Sequence, residues 1–329
     1  MLTEPEDLSA ETVLALVHEL WDDRARSAGF VPWGASAHWV CGGRRTPRWL
    51  VAADDVSPAG RLEELEAAYA SARRLAERGL HFVVPTVPPA SGDVGVRRGR
   101  HLVTVTAYLE GETGPGAYAD DSQRALIARQ LGELHRAKPP RPLQVWRPGP
   151  PHRELLEHLL AESHGGHWGN GPFGERARTL LRDSRAKIQG LLSRFDALAT
   201  TAVADRSRWV VTHGQPHSAN VLWSQGGPLL VDWESVRLAP RERDLRDVLR
   251  EADGAEPLSA YVASGGSAEL DADMVELFDL EWWLAHVGQQ AARFALPHTG
   301  DEEDERGFAS LRAELGGRRR RGASPTTPV

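Results

Sequence analysis

Two short apolar segments between residues 209 and 232 constrain the fold of this chain more than any other part of its sequence. Residues 209–212 (Trp-Val-Val-Thr) have the composition of a buried strand, and a polar turn over residues 213–220 follows, ending in Asn220. Residues 227–231 (Gly-Pro-Leu-Leu-Val) form a second apolar segment that ends at Asp232. If the two segments lie side by side as in a hairpin, Asn220 and Asp232 come together at one place.

An amide oxygen and a carboxylate at one place suit a hard cation. Mg²⁺ takes one or two protein oxygens and completes its coordination with water and phosphate. Asn220 and Asp232 therefore predict a Mg²⁺ site of the kind that kinases use for phosphoryl transfer. The turn also contains His213 and His217, but two histidines without a cysteine or a third histidine nearby make a poor zinc site, so we expect them to hold the shape of the loop.

Longer stretches of the sequence resemble one family, the aminoglycoside phosphotransferases, and within it the spectinomycin-phosphotransferase-like branch. The strongest similarity is between Val210 and Leu245, and weaker similarity extends over about residues 25–295. The motifs that carry the resemblance are His213-Gly-Gln-Pro-His-Ser-Ala-Asn220, Val231-Asp-Trp-Glu234, Leu238-Ala-Pro-Arg-Glu-Arg-Asp-Leu245, Leu131-Gly-Glu-Leu-His135 and Val103-Thr-Val-Thr-Ala-Tyr-Leu-Glu-Gly111.

The resemblance implies an α+β, bilobal, protein-kinase-like fold. A small β-rich amino-terminal lobe that binds nucleotide would occupy residues 1–110, and a larger, mainly helical catalytic and substrate lobe residues 111–300. Residues 301–329 are expected to be a charged tail without stable structure, and its run Arg318–Arg321 is expected to be solvated.

The resemblance also implies roles for individual residues. Those expected at the catalytic centre are His213, Gln215, Asn220 and Asp232, the last two as metal ligands, with His217 and Asp244 bracing the loop. Nucleotide contacts are expected from Gly34, Ser36, Tyr108 and Leu109, and substrate contacts from Glu234, Asp279, Glu281 and Trp282. The implied cofactors are Mg²⁺ and ATP or GTP as phosphoryl donor.

Gln215 departs from the family pattern, because it stands where the family places its catalytic Asp. An amide cannot accept a proton at neutral pH, although it can orient a hydroxyl group by hydrogen bonding. General-base catalysis contributes about 10²–10⁴-fold to a rate, and the rest of phosphoryl transfer is positioning and charge neutralisation. A slower kinase is compatible with this substitution.

The chain also lacks the lysine that a kinase-like fold carries on its third strand. Its two lysines, Lys138 and Lys187, lie outside the amino-terminal lobe, and the resemblance puts Ala52 or Ala53 at the lysine position. The cations expected to replace the lysine are Arg44, Arg45 and Arg48, although arginine and lysine differ in geometry.

Hydrophobic periodicity predicts the elements that surround these motifs. We expect helices over Glu11–Ala28, Arg61–Arg78 and Asp273–Phe294, and strands over Arg48–Asp55, His81–Pro85 and Leu102–Ala107. Gly79 is expected to end the second helix.

Composition fits a globular enzyme and disfavours several other classes. The net charge of −7 argues against a nucleic-acid-binding surface, although an acidic cleft can attract a cationic small molecule. The sequence contains no run of eighteen apolar residues, so it predicts no membrane span. The acidic start of the chain does not resemble a secretory signal. With Cys41 as the single cysteine, we expect a cytoplasmic protein.

Two functions follow from these observations. The first is a kinase that phosphorylates a hydroxyl group of an antibiotic-like compound or of a sugar or aminocyclitol metabolite, as in antibiotic resistance. The second is a pseudokinase that binds a small ligand or nucleotide without catalysis, and it rests on the absence of both the catalytic carboxylate and the strand lysine.

Overall fold

A computed structural model describes residues 3–33, 36–43, 46–162, 166–250 and 252–316. These residues form two compact units, one drawn from Met1–Trp146 and Trp209–Ala268 and the other from Arg147–Arg208 and Glu269–Pro325. Each unit combines segments that are distant in the sequence. Among the described residues, no helix is long and apolar enough to span a membrane.

The described residues of the first unit form ten strands and five helices. In chain order they are α1 (Ala10–Leu20), β1 (Ser27–Val31), β2 (Ala37–Gly43), β3 (Thr46–Asp55), α2 (Arg61–Glu77), β4 (Val96–Arg98), β5 (His101–Ala107), β6 (Glu112–Thr113), α3 (Asp121–Arg136), β7 (Val210–Thr212), β8 (Val221–Ser224), β9 (Gly227–Leu230), β10 (Arg237–Ala239), α6 (Glu242–Leu249) and α7 (Glu256–Ala263), as far as the structure describes the chain. The second unit contains α4 (Arg153–Glu162), α5 (Gly174–Ala204), α8 (Ala272–Ala295) and α9 (Glu302–Leu315).

The amino-terminal sheet is antiparallel, with the strand order β1-β2-β3-β5-β4. Alternate residues of β2, such as Trp39 and Cys41, are fully buried, and they pack with Val13 and Val17 of α1 in one hydrophobic core. This period of two is what a strand with one buried face requires. The sheet followed by a mainly helical part confirms the predicted α+β class.

A second core supports the polar loops after β7 and β9. It joins α2, α3, α6 and α7 to Val211, Val221, Leu230 and Trp233, all of which are buried. The indole of Trp233 donates a hydrogen bond to the Leu230 carbonyl at 2.8 Å. Apolar packing therefore holds the residues on both sides of these loops, and the polar residues of the loops lie at the edge of this core.

Three predicted elements differ from the structure. The helix expected over Glu11–Ala28 ends at Leu20, because residues from Ser27 onward pair as β1 with β2. His81–Pro85 is not a strand; it makes isolated contacts, with Val84 donating to the Leu230 carbonyl at 3.2 Å. In both regions, long-range backbone pairing decides the structure.

The charged tail is the third difference. The helix α9 spans Glu302–Leu315. Asp301 caps its amino-terminal end, because its side chain accepts a hydrogen bond from the Asp304 backbone N–H. Phe308 and Leu311 are buried, so this part of the predicted tail is ordered by apolar packing that its high charge concealed. Arg318–Arg321 lies outside the described residues.

Helices α3 and α7 approach closely at Gly132. A Cβ atom at this position would lie 2.7 Å from the Tyr261 carbonyl oxygen and 2.0 Å from the Ser264 hydroxyl oxygen. We expect Gly132→Ala to lower the free energy of unfolding by about 1–3 kcal/mol, because the helices must separate. Chemical denaturation measures this change.

Gly190 provides the matched control, because it is an exposed glycine in helix α5 with no heavy atom within 4 Å of an added Cβ. Gly190→Ala should stabilise the chain by about 0.5–1 kcal/mol through backbone entropy. A stabilising effect of Gly132→Ala would contradict the close helix contact.

Candidate active site

A hairpin brings Asn220 and Asp232 to adjacent positions. β8 and β9 pair antiparallel with Val221 opposite Leu230, and the Val231 N–H donates to the Asn220 carbonyl oxygen at 3.0 Å. The two predicted segments do not pair with each other, because β7 pairs with β10, and β9 pairs with β8, the strand that directly follows Asn220. The expected proximity of Asn220 and Asp232 is nevertheless present. Asn220 ends one side of the hairpin, and Asp232 follows the other.

Asp232 has a strained backbone and a crowded carboxylate. Its φ of 64° and ψ of 66° lie in the left-handed region, which Asp tolerates better than most residues and which is frequent at functional sites. The residue has exposed surface, but protein groups surround it closely. This desolvation, with the nearby carboxylates of Glu234 and Asp54, raises the pKa of Asp232 above its usual range. A bound cation would relieve this repulsion between like charges.

His213 is a neutral, buried residue that joins the two loops. Its Nε2 lies 2.9 Å from the Val231 carbonyl oxygen and must donate to it, so its Nδ1 accepts from the Gln215 N–H at 3.3 Å. Burial lowers the pKa of His213 to about 4. The expected catalytic role for His213 thus becomes one of holding Gln215 and the hairpin in register.

Gln215 is anchored through its backbone and has an exposed side chain. Its carbonyl oxygen accepts a hydrogen bond from the Asn220 Nδ2 at 3.1 Å, while its side chain is exposed to solvent. Because the Asn220 nitrogen is engaged in this bond, the oxygen of the same amide is the atom that can bind a cation. Gln215, Asn220 and Asp232 therefore form one small constellation.

Asp244 contacts the loop directly. Its Oδ2 accepts from the His213 N–H at 2.8 Å and its Oδ1 from the Gly214 N–H at 2.6 Å. His135 contacts the same carboxylate at 3.1 Å and the Tyr261 hydroxyl at 2.8 Å. Asp244 is fully buried; burial works against its charge, but the hydrogen bond from His135 and the other contacts lower its pKa overall.

His217, the other expected bracing residue, acts through its backbone. Its carbonyl oxygen accepts from the Asn220 N–H at 2.9 Å. Its Nδ1 is buried without a hydrogen-bond partner among the described residues. The loop is also attached to the segment before α3, because the Tyr118 hydroxyl donates to the Pro216 carbonyl oxygen and the Ser218 hydroxyl donates to the Ala117 carbonyl oxygen at 2.7 Å.

A polar cluster that the sequence did not predict lies between β3, α2 and the residues after Asp232. Asp54 accepts hydrogen bonds from the Tyr69 hydroxyl at 2.7 Å and the Ser36 hydroxyl at 2.6 Å. Arg61, the first residue of α2, forms an ion pair with Glu234. Ser36 and Glu234 were expected to contact nucleotide and substrate, and each has one of these protein partners.

The pattern around Asp54 gave a signal that was missed. Residues 51–54 read Val-Ala-Ala-Asp, and matching them to the Val-Ala-Ile-Lys pattern of kinases would put Asp54 at the lysine position, next to the expected Ala52 or Ala53. Arg48 pairs with Asp22 at 2.9 Å and lies over the ring of Trp49. Arg44 and Arg45 lie outside the described residues. No sequence signal marked Arg61, whose partner is far away in the chain.

The predicted nucleotide contacts at the end of β5 are Tyr108 and Leu109. The Tyr108 N–H donates to the Arg48 carbonyl oxygen at 2.8 Å. Leu109 lies one residue farther along, in the segment between β5 and β6, and it is half-buried. Gly34, the other predicted contact, lies outside the described residues.

The predicted substrate residues Asp279, Glu281 and Trp282 lie on α8 in the second unit. All three are half-buried. The Trp282 ring stacks on His286 with a centroid distance of 5.5 Å.

Within the described part of the chain, no three His, Cys, Asp or Glu side chains are arranged to hold a metal ion. A pair formed by the Asn220 amide and the Asp232 carboxylate, completed by water and phosphate, is the ligand set that the residues offer. Both atoms are hard oxygen donors, which fit Mg²⁺. The crowding of Asp232 with Glu234 and Asp54 is the observation that favours a cation there.

The chain belongs to the phosphotransferase enzyme family, APH, whose profile matches residues 32–278. This match confirms the resemblance to aminoglycoside phosphotransferases and places the chain among small-molecule phosphotransferases. The chain is also similar to Protein StrN of Streptomyces griseus, with 29% identity over 323 residues and 93% of each chain covered.

Solved structures show the same fold. Spectinomycin phosphotransferase APH(9)-Ia, in complex with ADP and spectinomycin, is similar with a TM-score of 0.74 and 13% identity, covering 94% of this chain and 95% of that one. Amicoumacin kinase hAmiN, in complex with AMP-PNP, Ca²⁺ and Ami, has a TM-score of 0.58 and 14% identity, covering 94% and 93%. The predicted kinase-like fold is therefore confirmed.

Proposed function

We propose that the chain transfers the γ-phosphoryl group of ATP or GTP to a hydroxyl group of an antibiotic-like, sugar or aminocyclitol compound. The single observation that carries this proposal is the hairpin that places Asn220 beside Asp232, within a chain of the phosphotransferase enzyme family. Phosphoryl transfer depends mainly on positioning and charge neutralisation, and a metal ion held by these two residues would supply both.

Asn220 and Asp232 would hold Mg²⁺, which neutralises the charge of the nucleotide phosphates when bound. The residues of the chain act around that site. His213 and Asp244 fix the loop, and the exposed amide of Gln215 can accept a hydrogen bond from the acceptor hydroxyl and orient it.

The adenine or guanine base would bind at the segment after β5. Because the Tyr108 N–H is already bonded to Arg48, base recognition would fall to the Tyr108 carbonyl and the Leu109 backbone. The half-buried position of both residues suits a base that is partly shielded from water.

The acceptor is proposed to be a small polyhydroxylated molecule. The similar structures are named for spectinomycin and amicoumacin kinases, and the net charge of −7 favours cationic compounds of this kind. On α8, Asp279, Glu281 and Trp282 supply the acidic and aromatic groups that recognise amines and sugar faces.

The test is a nucleotide titration of the purified chain followed by an acceptor screen. We expect ATP or GTP to bind in a Mg²⁺-dependent manner by calorimetry, and nucleoside diphosphate to form when aminocyclitol, aminoglycoside or nucleoside antibiotics are added. Binding without turnover across the panel would favour the pseudokinase function, which the exposed Gln215 amide and the missing strand lysine support. Absence of any nucleotide binding would contradict both.

Asp232→Asn tests the metal site. The substitution keeps the size of the side chain but removes its charge, and we expect Mg²⁺ affinity to fall by about 100-fold, comparable with the larger effects known around metal ligands. Calorimetry of nucleotide binding at several Mg²⁺ concentrations measures it.

The matched control is Asp93→Asn, which alters an exposed carboxylate of the same unit. This variant should bind Mg²⁺ and nucleotide as the unchanged chain does. Equal loss in both variants would mean that general surface charge, and not Asp232, attracts the metal.

A further inference from the structure

The contact between β3 and α2 is chemically different from the one that kinase-like folds use. Those folds place a strand lysine against a helix glutamate, and the lysine contacts the nucleotide phosphates. Here the side-chain contact at that level is a hydrogen bond from the Tyr69 hydroxyl to Asp54 at 2.7 Å. A carboxylate is therefore the group at this level, and it repels phosphate.

A cation is nevertheless present at this place. Arg61 begins α2 and pairs with Glu234, two residues after Asp232. Its positive charge acts on Asp232 and Asp54 as well, since both form part of its electrostatic surroundings. In kinase-like folds the strand supplies the cation and the helix supplies the carboxylate. Here the helix supplies the cation, and the loop after the hairpin supplies the carboxylate that pairs with it.

Two other arginines near the site, Arg237 and Arg243, have several protein partners each. Arg237 donates to the carbonyl oxygens of Glu234 and Val236 and lies 3.6 Å from Glu64. Arg243 donates to the Thr212 hydroxyl at 3.1 Å and to a backbone carbonyl at 2.8 Å. Arg237 has an exposed side-chain fraction of 13%, compared with 30% for Arg61. Arg61 is therefore the more accessible cation.

We propose that Arg61 contacts the phosphates of the bound nucleotide in place of the strand lysine, and that Glu234 is its anchor. A guanidinium group has five N–H donors in a planar fork, and one carboxylate engages at most two of them. The remaining donors can bond to phosphate oxygens of a nucleotide that a metal ion at Asp232 would hold beside Arg61. This inference rests on the proposed nucleotide-dependent function.

The phosphate series of one nucleotide tests the proposal. Adenosine, AMP, ADP and ATP, each with Mg²⁺, are titrated calorimetrically into the unchanged chain, Arg61→Met and Arg61→Lys. Arg61→Met keeps the apolar stem and should weaken ADP and ATP binding by about 10- to 100-fold, the range for hydrogen bonds to charged groups. Adenosine binding should not change, and Arg61→Lys should recover part of the affinity because it restores the charge.

Arg74→Met is the matched control, because Arg74 is an exposed arginine on the same helix. It should bind every nucleotide like the unchanged chain. The proposal is overturned if Arg61→Met binds ATP as tightly as the unchanged chain, or if it loses adenosine and ATP equally, which would show a structural role. If the unchanged chain binds none of the four and none of the corresponding guanine compounds, the proposed function itself fails, and the two failures are thus distinguished.

Discussion

Gln215→Asp is expected to raise the rate of phosphoryl transfer by about 10²–10⁴-fold, the usual contribution of a positioned general base. The expectation rests on a loop that is already built: the Gln215 backbone is held by His213 and Asn220 at 3.3 and 3.1 Å, and its side chain is exposed where an acceptor can reach it. A carboxylate there can take the proton of the acceptor hydroxyl, which an amide cannot.

The matched control is Gln215→Asn, which shortens the side chain as Asp does but adds no base. Steady-state production of nucleoside diphosphate, with an acceptor found in the screen, compares the three proteins. A gain in Gln215→Asp alone assigns the effect to the carboxylate. Equal rates in the Asp and Asn variants would place Gln215 away from the acceptor hydroxyl. Activity in Gln215→Asp with none in the unchanged chain would identify an intact site that lacks its base.

Asp244→Ala is expected to lower the free energy of unfolding by about 3–5 kcal/mol, the range for breaking a buried charged pair. The carboxylate is fully buried and accepts hydrogen bonds from the backbone N–H groups of His213 and Gly214. It also contacts His135. Removing it leaves these groups without an acceptor, and water has little access to them.

Tyr261→Phe removes a single hydroxyl group from the same network and serves as the graded control. Its bond to His135 is 2.8 Å long, so the expected loss is about 1 kcal/mol. Chemical denaturation measures both variants. Similar losses in the two variants would show that Asp244 is not the principal support of the loop.

The site was predictable where its parts are close in sequence. The spacing predicted that Asn220 and Asp232 lie close together, and they do, although the strand that pairs with β9 is β8, which was not predicted. The helix expected over Arg61–Arg78 is present and ends one residue earlier, at Glu77. It was predictable because its periodic apolar face is a local property of the sequence. The bracing carboxylate, Asp244, was implied by the resemblance.

The rest depends on partners that local patterns do not contain. Arg61 and Glu234 are 173 positions apart, and no sequence pattern near either residue indicates that the two pair. The strand β1 replaced the end of a predicted helix because its hydrogen bonds come from β2. The helix α9 was hidden because its acidic first turn resembles a solvated tail, while Phe308 and Leu311 supply its packing. In each case tertiary contacts outweigh local propensity.

The short strand β6 joins two parts of the site mechanically. It follows the Tyr108–Gly111 segment, yet it pairs with β8, with Glu112 opposite Trp223 and Thr113 opposite Leu222. The backbone that would receive a base is therefore fastened within a few residues to the hairpin that carries Asn220. Residues 82–87 make a second connection, because the Phe82 carbonyl oxygen and the Val84 N–H bond to Leu230 of β9, and the Val87 N–H donates to the Val105 carbonyl oxygen of β5. A movement of the amino-terminal sheet would therefore act on the metal-binding hairpin through both connections.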